Sequence, residues 1–179
     1  MTSGTNSSSA FAMADVAGKP ITRRLAIASG KIVLGAAYEA VIERTLSKGD
    51  ALLLGEIAGI LGAKQTPALL PLCHPINLNR VRVLHRAEPA SRAVRMYCAA
   101  EIGERTGVEM EALTGLNVAL LTVWDLAKPL EPALRIEDVA LRYKSGGKSG
   151  RWVHPAGLDE TAAELVEQMD GAAAGAAGP

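Results

Sequence analysis

GVEMEALTGLNVALLTVWDLAKP, residues 107–129, decides the fold of this 179-residue chain. Between Glu111 and Asp125 it carries no charged residue. A segment apolar on nearly every side packs as a buried helix rather than lying on a surface. Its charges gather at the two ends: Glu109 and Glu111 where the helix begins, Asp125 and Lys128 where Pro129 closes it. Acids in a first turn complement the helix dipole, and Asp125 and Lys128 have the spacing of an i,i+3 ion pair. Charges at the ends of a buried helix must be paired or used, so both ends are candidate sites. Glu111 and Asp125 are nearly four turns apart, which predicts a shared face and a separation of roughly 21 Å. No small ligand bound within one chain spans that distance. If both ends are catalytic, the site is extended or shared between subunits; otherwise the acids serve the helix dipole and Asp125–Lys128 is an ion pair only. An apolar surplus on this helix predicts that part of it packs against another subunit.

On either side of that helix the pattern changes period. Thr22 to Leu34 alternates as a strand, with Gly30 at a bulge or bend. A helix is predicted from about Ala36 to Leu46. A second starts at the N-cap Asp50, with Leu53, Ile57, Ile60 and Leu61 on its apolar face, and ends before Thr66-Pro67. Strands follow at Leu78 to Ala87, Ala93 to Ile102 and, after the long helix, Leu134 to Tyr143. The order β-α-α-β-β-α-β is the ferredoxin-like split βαβ pattern with one extra helix. The expected class is α+β, an antiparallel sheet with helices on one face. Residues 1–12 read as a disordered tail and 13–156 as a single domain. Residues 157–179 read as an extension, a short helix from Leu158 to Met169 followed by an Ala/Gly tail.

Composition narrows the function. Lys plus Arg and Asp plus Glu both number 19, a zero net charge that gives no support to nucleic-acid or membrane-surface binding. Aromatics at 3% do not supply a base-stacking sheet. Two cysteines, Cys73 and Cys98, do not make a disulfide framework and suit a reducing compartment, so a cytoplasmic protein is expected.

Three loops carry further chemistry. Lys48-Gly49-Asp50 mounts an amine at a helix junction, where it can act as a general acid or base. Pro71-Leu72-Cys73-His74-Pro75 holds its polar residues between two prolines, a rigid mounting for ligand contacts. Its Cys and His have no zinc-type spacing to Cys98, His85 or His154, so no metal is expected. Lys144-Ser145-Gly146-Gly147-Lys148-Ser149-Gly150 ends like a phosphate-binding P-loop. It lacks the first glycine of that motif, since the position holds Arg142. It remains a glycine-rich cationic loop suited to phosphate.

These blocks, in this order and over most of the chain from Met13 to about Trp152, resemble the cyclic pyranopterin monophosphate synthase family of molybdenum cofactor biosynthesis. The resemblance implies a lyase that converts 3′,8-cyclised 7,8-dihydro-GTP to the cyclic pyranopterin with release of pyrophosphate, using no cofactor. It implies Lys48, Asp125 and Lys128 as catalytic residues. Leu72, Cys73, His74, Glu109, Met110, Glu111, Lys144 and Lys148 would bind the substrate. It also implies a homo-oligomer, a hexamer built as a trimer of dimers, with sites at subunit interfaces. The chain departs from the family pattern at Gln65, Gly103 and Ala127. Gln65 and Gly103 motivate an alternative, a non-catalytic or altered-activity paralogue that binds a related purine nucleotide or pterin.

Overall fold

The structure, a computed structural model, describes residues 11–174. Of the expected tails, residues 1–12 and 171–179, the stretches 1–10 and 175–179 lie outside the described residues. Strand β1 (Thr22–Val33) is central, and β2 (Arg80–Glu88), β3 (Ala93–Glu104), β4 (Arg135–Ser145) and the short β5 (Trp152–Val153) complete a sheet in the order β2-β3-β1-β4-β5. All paired neighbours are antiparallel. Pairing of β1 with β3 runs without interruption from Thr22 opposite Glu104 to Val33 opposite Ala93. Pairing with β4 shifts register twice, once between Ser29 and Lys31. The predicted irregularity at Gly30 lies there, opposite a left-handed Asp138 (φ 55°). A Cβ on Gly30 would come within 2.8 Å of Val139 Cγ2 and 3.3 Å of its Cα, so the bulge requires glycine.

The helices are α1 (Tyr38–Ile42), α2 (Ala51–Lys64), the short α3 (Thr66–Leu69), α4 (Glu109–Ala127) and α5 (Glu160–Ala174). Helix α1 is shorter than the Ala36–Leu46 expectation. A 3-10 turn at Gly35–Ala37 precedes it, and Arg44 turns left-handed (φ 60°) soon after its end. Asp50 caps α2 as expected, its Oδ1 accepting from the backbone N–H of Leu52 and of Leu53, each at 3.0 Å. Helices α2 and α4 lie on the face of the sheet that carries Ala26, Ala28, Val94, Met96 and Cys98, and together they enclose the main core.

The apolar face of α2 is not where periodicity placed it. Its buried residues include Gly55, Gly59, Gly62 and Ala63, whereas Leu53, Ile57 and Leu61 are 54–58% exposed. The cause is close packing against α4. Cβ atoms on Gly59 and Gly62 would meet Gly115 O at 2.9 Å and Val118 Cβ at 2.7 Å. Only glycine lets the two backbones approach so closely. The surplus of exposed apolar surface therefore sits mainly on α2. Helix α4 instead buries Ala112, Leu116, Ala119, Leu120 and Val123 within this chain, leaving Met110 and Leu121 as its exposed large apolar side chains.

The one-sided arrangement of helices holds for α2 and α4 and does not extend to α5. That helix covers the opposite face, where Ala162, Leu165 and Met169 pack on Leu25, Ile27, Tyr97, Ala99 and Tyr143. Ala162, Leu165 and Met169 of the expected apolar stripe are the residues it uses; Leu158 packs on the same cluster from just before the helix, which starts at Glu160 and not at Leu158. The helix continues through Gly171–Ala174, residues assigned in the sequence to the tail.

Candidate active site

The C-terminal end of α4 carries the expected charges, together with a partner from far away in sequence. Helices α2 and α4 run antiparallel, since Gly55 packs near Val123 and Gly59 near Gly115. Lys48, just before α2, is thereby brought to the end of α4. Its Nζ donates to Asp125 Oδ2 at 3.4 Å, and Lys128 Nζ donates to Asp125 Oδ1 at 2.5 Å. All three side chains are about half exposed. Hydrogen bonds from Lys128, then from Lys48, hold the Asp125 carboxyl below the usual carboxylate range. The cluster is an ionised carboxylate gripping two amines that both face solvent.

The N-terminal end of α4 is different in character. A cleft of about 200 Å³ lies between this first turn and the proline-bounded loop, lined by Leu72, Cys73, His74, Glu109, Met110 and Glu111. Thr106, Gly107, Ile76 and Ala14 complete its wall. Glu111 is 3% exposed. Burial, with the charge of Glu109 added, pushes its carboxyl above the ordinary range. Burial and the nearby Glu111 likewise raise the Cys73 thiol, so Cys73 is a polar wall rather than a ready thiolate. Glu111 and Asp125 differ in exposure, 3% against a side chain about half exposed, although one helix carries both. Residues of the 70–76 segment line the cleft at the start of α4, while at its end the side chains of Asp125 and Lys128 stay about half exposed.

Lys144 joins the cleft to the glycine-rich loop, its Nζ donating to Glu109 Oε1 at 3.1 Å. Lys148 lies farther along that loop, in a depression it shares with Lys19, Thr22 and Arg24. Sequence reading did not single out Lys19 or Arg24. Arg24 sits on β1 with its Nε donating to Glu104 O at 3.1 Å, and its guanidinium lies against Gly147. The signal was available in strand alternation: Ala26 and Ala28 face the main core, so Arg24 belongs to the same face as α4. Thr22 Oγ1 is buried there without a hydrogen-bond partner. Among the described residues no group of three or more His, Cys, Asp or Glu side chains is placed to hold a metal ion.

Nine of the eleven expected residues thus fall into two groups at opposite ends of α4, with Lys144 tied to the Glu109 end and Lys148 out on the loop. An acid-lined cleft beside a cationic loop, with an amine–carboxylate cluster one helix-length away, is an arrangement suited to an enzyme of α+β fold that acts on a small molecule. Residues 13–147 match the MoaC family, and the chain belongs to that family. It is 44% identical over 149 residues to the cyclic pyranopterin monophosphate synthase of Desulforapulum autotrophicum, covering 80% of this chain and 91% of the relative. It is 46% identical over 141 residues to the protein of the same name from Rhodospirillum rubrum, covering 78% and 85%. The corresponding protein of Helicobacter pylori is 42% identical over 139 residues, covering 77% and 88%.

None of the departures from the family pattern falls on one of the eleven expected site residues. Gln65 is an exposed residue closing α2. A Cβ at Gly103 would meet only Asn79, at the ordinary distance of 3.8 Å. Ala127 is fully buried on the core side of α4, away from the Lys128 amine.

Proposed function

We propose that this chain is a cyclic pyranopterin monophosphate synthase of molybdenum cofactor biosynthesis, a lyase acting on 3′,8-cyclised 7,8-dihydro-GTP and releasing pyrophosphate. The observation that carries the reading beyond family membership is the pair of lysines held by one carboxylate. The reaction needs protons moved between nitrogen and oxygen atoms of a purine-derived ring, and it needs charge stabilised on a leaving pyrophosphate. Lys48 and Lys128 serve the first need. A lysine that delivers its proton leaves Asp125 bonded to the other, so the cluster keeps its geometry through the step. Lys144 and Lys148 serve the second, and the rings occupy the cleft of Leu72, Cys73, His74, Met110, Glu109 and Glu111.

One chain does not bring these parts within reach of one ligand, because α4 separates Glu111 from Asp125 by roughly 21 Å. We therefore propose a homo-oligomer, a hexamer arranged as a trimer of dimers, in which the end of one α4 faces the cleft of another chain. The exposed row of Leu53, Ile57 and Leu61 supports an association of this kind. A cytoplasmic location, suggested by the free thiols Cys73 and Cys98, belongs to the same reading.

The test is to supply the purified full chain with the cyclised dihydro-GTP. Equimolar pyranopterin and pyrophosphate are expected. Tight binding with no pyrophosphate released would favour the non-catalytic paralogue instead.

A further inference from the structure

The C-terminal helix lies wholly beyond the residues that match the family, yet its contacts converge on the strand that carries Lys144. Asp170, near the end of α5, accepts hydrogen bonds from the hydroxyls of Tyr143 and Ser145, the latter at 3.2 Å. It also pairs with Arg23, whose Nη1 donates to Asp170 Oδ1 at 2.8 Å. Tyr143 and Ser145 flank Lys144 on β4, and Arg23 immediately precedes Arg24 on β1. Neighbouring residues of a strand point to opposite faces. Asp170 therefore grips the far side of the sheet at three residues, and their direct neighbours, Lys144 and Arg24, project onto the face of the candidate site. Lys144 reaches Glu109 there, and Arg24 lies against Gly147.

The rest of α5 is fastened so that Asp170 arrives in place. Asp159 caps its start by accepting from Ala162 N at 2.8 Å, while its other oxygen accepts from Tyr97 at 2.9 Å. Arg80 and Arg82 of β2 bond to Met169 O and Gln168, and Arg86 pairs with Glu164. Just after Ser145 the chain passes through Gly146 and Gly147, both left-handed (φ 92° and 70°). The fixed strand thus ends one residue beyond Lys144, and Asp170 stands at that boundary.

We infer that Asp170 is a positioning residue: acting through Tyr143, Ser145 and Arg23, it fixes the root of the glycine-rich loop and so the aim of Lys144. Its role in phosphate binding rests on the function proposed above. Its mechanical role does not.

The test compares wild-type, Asp170→Ala and Asp170→Asn full-length proteins by hydrogen exchange and by steady-state kinetics. Amides from Lys144 to Lys148 should exchange at least about fivefold faster in Asp170→Ala, while those of α4 and of the β2–β3 ladder keep their protection. The KM for the cyclised dihydro-GTP should rise about fivefold or more with kcat within about twofold, the mark of lost binding rather than lost chemistry. Asp170→Asn keeps an acceptor for one hydroxyl but loses the charge facing Arg23, and should fall between the two. Unchanged exchange at Lys144–Lys148 in both variants overturns the inference. So does faster exchange spread evenly over the sheet, which would make Asp170 a general prop. If wild-type protein turns over no substrate, the proposed function fails, and the exchange pattern still decides the positioning role.

Discussion

At the start of α4, Glu111 is buried under the proline-bounded loop and its carboxyl is pushed toward the protonated form. At the end of the same helix, Asp125 stands half exposed between two lysines and is held in the charged form. The helix supplies both residues with similar backbones, so the contrast comes from what lies over each end. A covering segment with a second acid nearby strengthens a carboxyl's hold on its proton. An open end with two amines stores a charge. Proton-transfer chemistry uses groups whose environments pull their affinities apart, and here the separation is made by one helix in two surroundings.

The sharpest way to break this comparison is to remove an amine from the open end. Lys128→Ala should lower turnover by about a hundredfold or more, the usual scale for losing a general acid or base, while circular dichroism and melting stay close to wild type. Near-normal turnover in the folded variant would strip the open end of its catalytic assignment. A smaller effect separates one-chain from two-chain sites. Glu111→Gln and Asp125→Ala proteins, each inactive alone, are unfolded together and refolded as mixed oligomers. If each site takes one end of α4 from each of two chains, roughly a quarter of the sites regain both native residues. Mixed oligomers with no recovered activity would return both ends to a single chain.

The smallest effect is in the pH dependence of stability. Because the folded protein raises the Glu111 value, the stability this group contributes is present below the ordinary glutamate range and is lost as pH rises through the raised value. Glu111→Gln removes that loss. Its melting temperature should exceed wild type near neutral pH, with the advantage shrinking toward about pH 4. Asp125 has the opposite sign: its contribution is present above the ordinary aspartate value and is lost as pH falls through the lowered one. Exposure keeps that contribution slight. A Glu111→Gln advantage independent of pH would mean that the buried carboxyl is not the cause.

Much of this architecture was legible because its signals are local. The Asp50 cap, the uncharged run of α4, the Gly30 bulge and the Asp125–Lys128 pair each lie within a few residues of their cause. The face of α2 was misread because leucines and isoleucines advertise a periodic stripe, whereas glycines that bury a helix by close approach leave no hydrophobic mark. Lys48 and Asp125 are 77 positions apart. Their meeting depends on the antiparallel docking of α2 and α4, which no window of sequence contains. The stripe on α5 was read correctly, but the sheet face it would choose was not, since the residues it covers in β1, β3 and β4 are recognisable only once the strands are in order.

The glycine contact between α2 and α4 also acts as a gauge. Where long side chains mesh, a helix slips by repacking rotamers. Where Gly59 rests on the carbonyl of Gly115 and Gly62 on Val118, there is no compliant layer to yield. One step of sliding would drive Cβ-bearing neighbours into backbone. The distance from the Lys48 amine to the Asp125 carboxylate is thus calibrated in the middle of the helix pair, about two to three turns from the charges themselves. An enlarged residue at Gly59 would be felt first as a mis-set gap between acid and base, at a point it never touches.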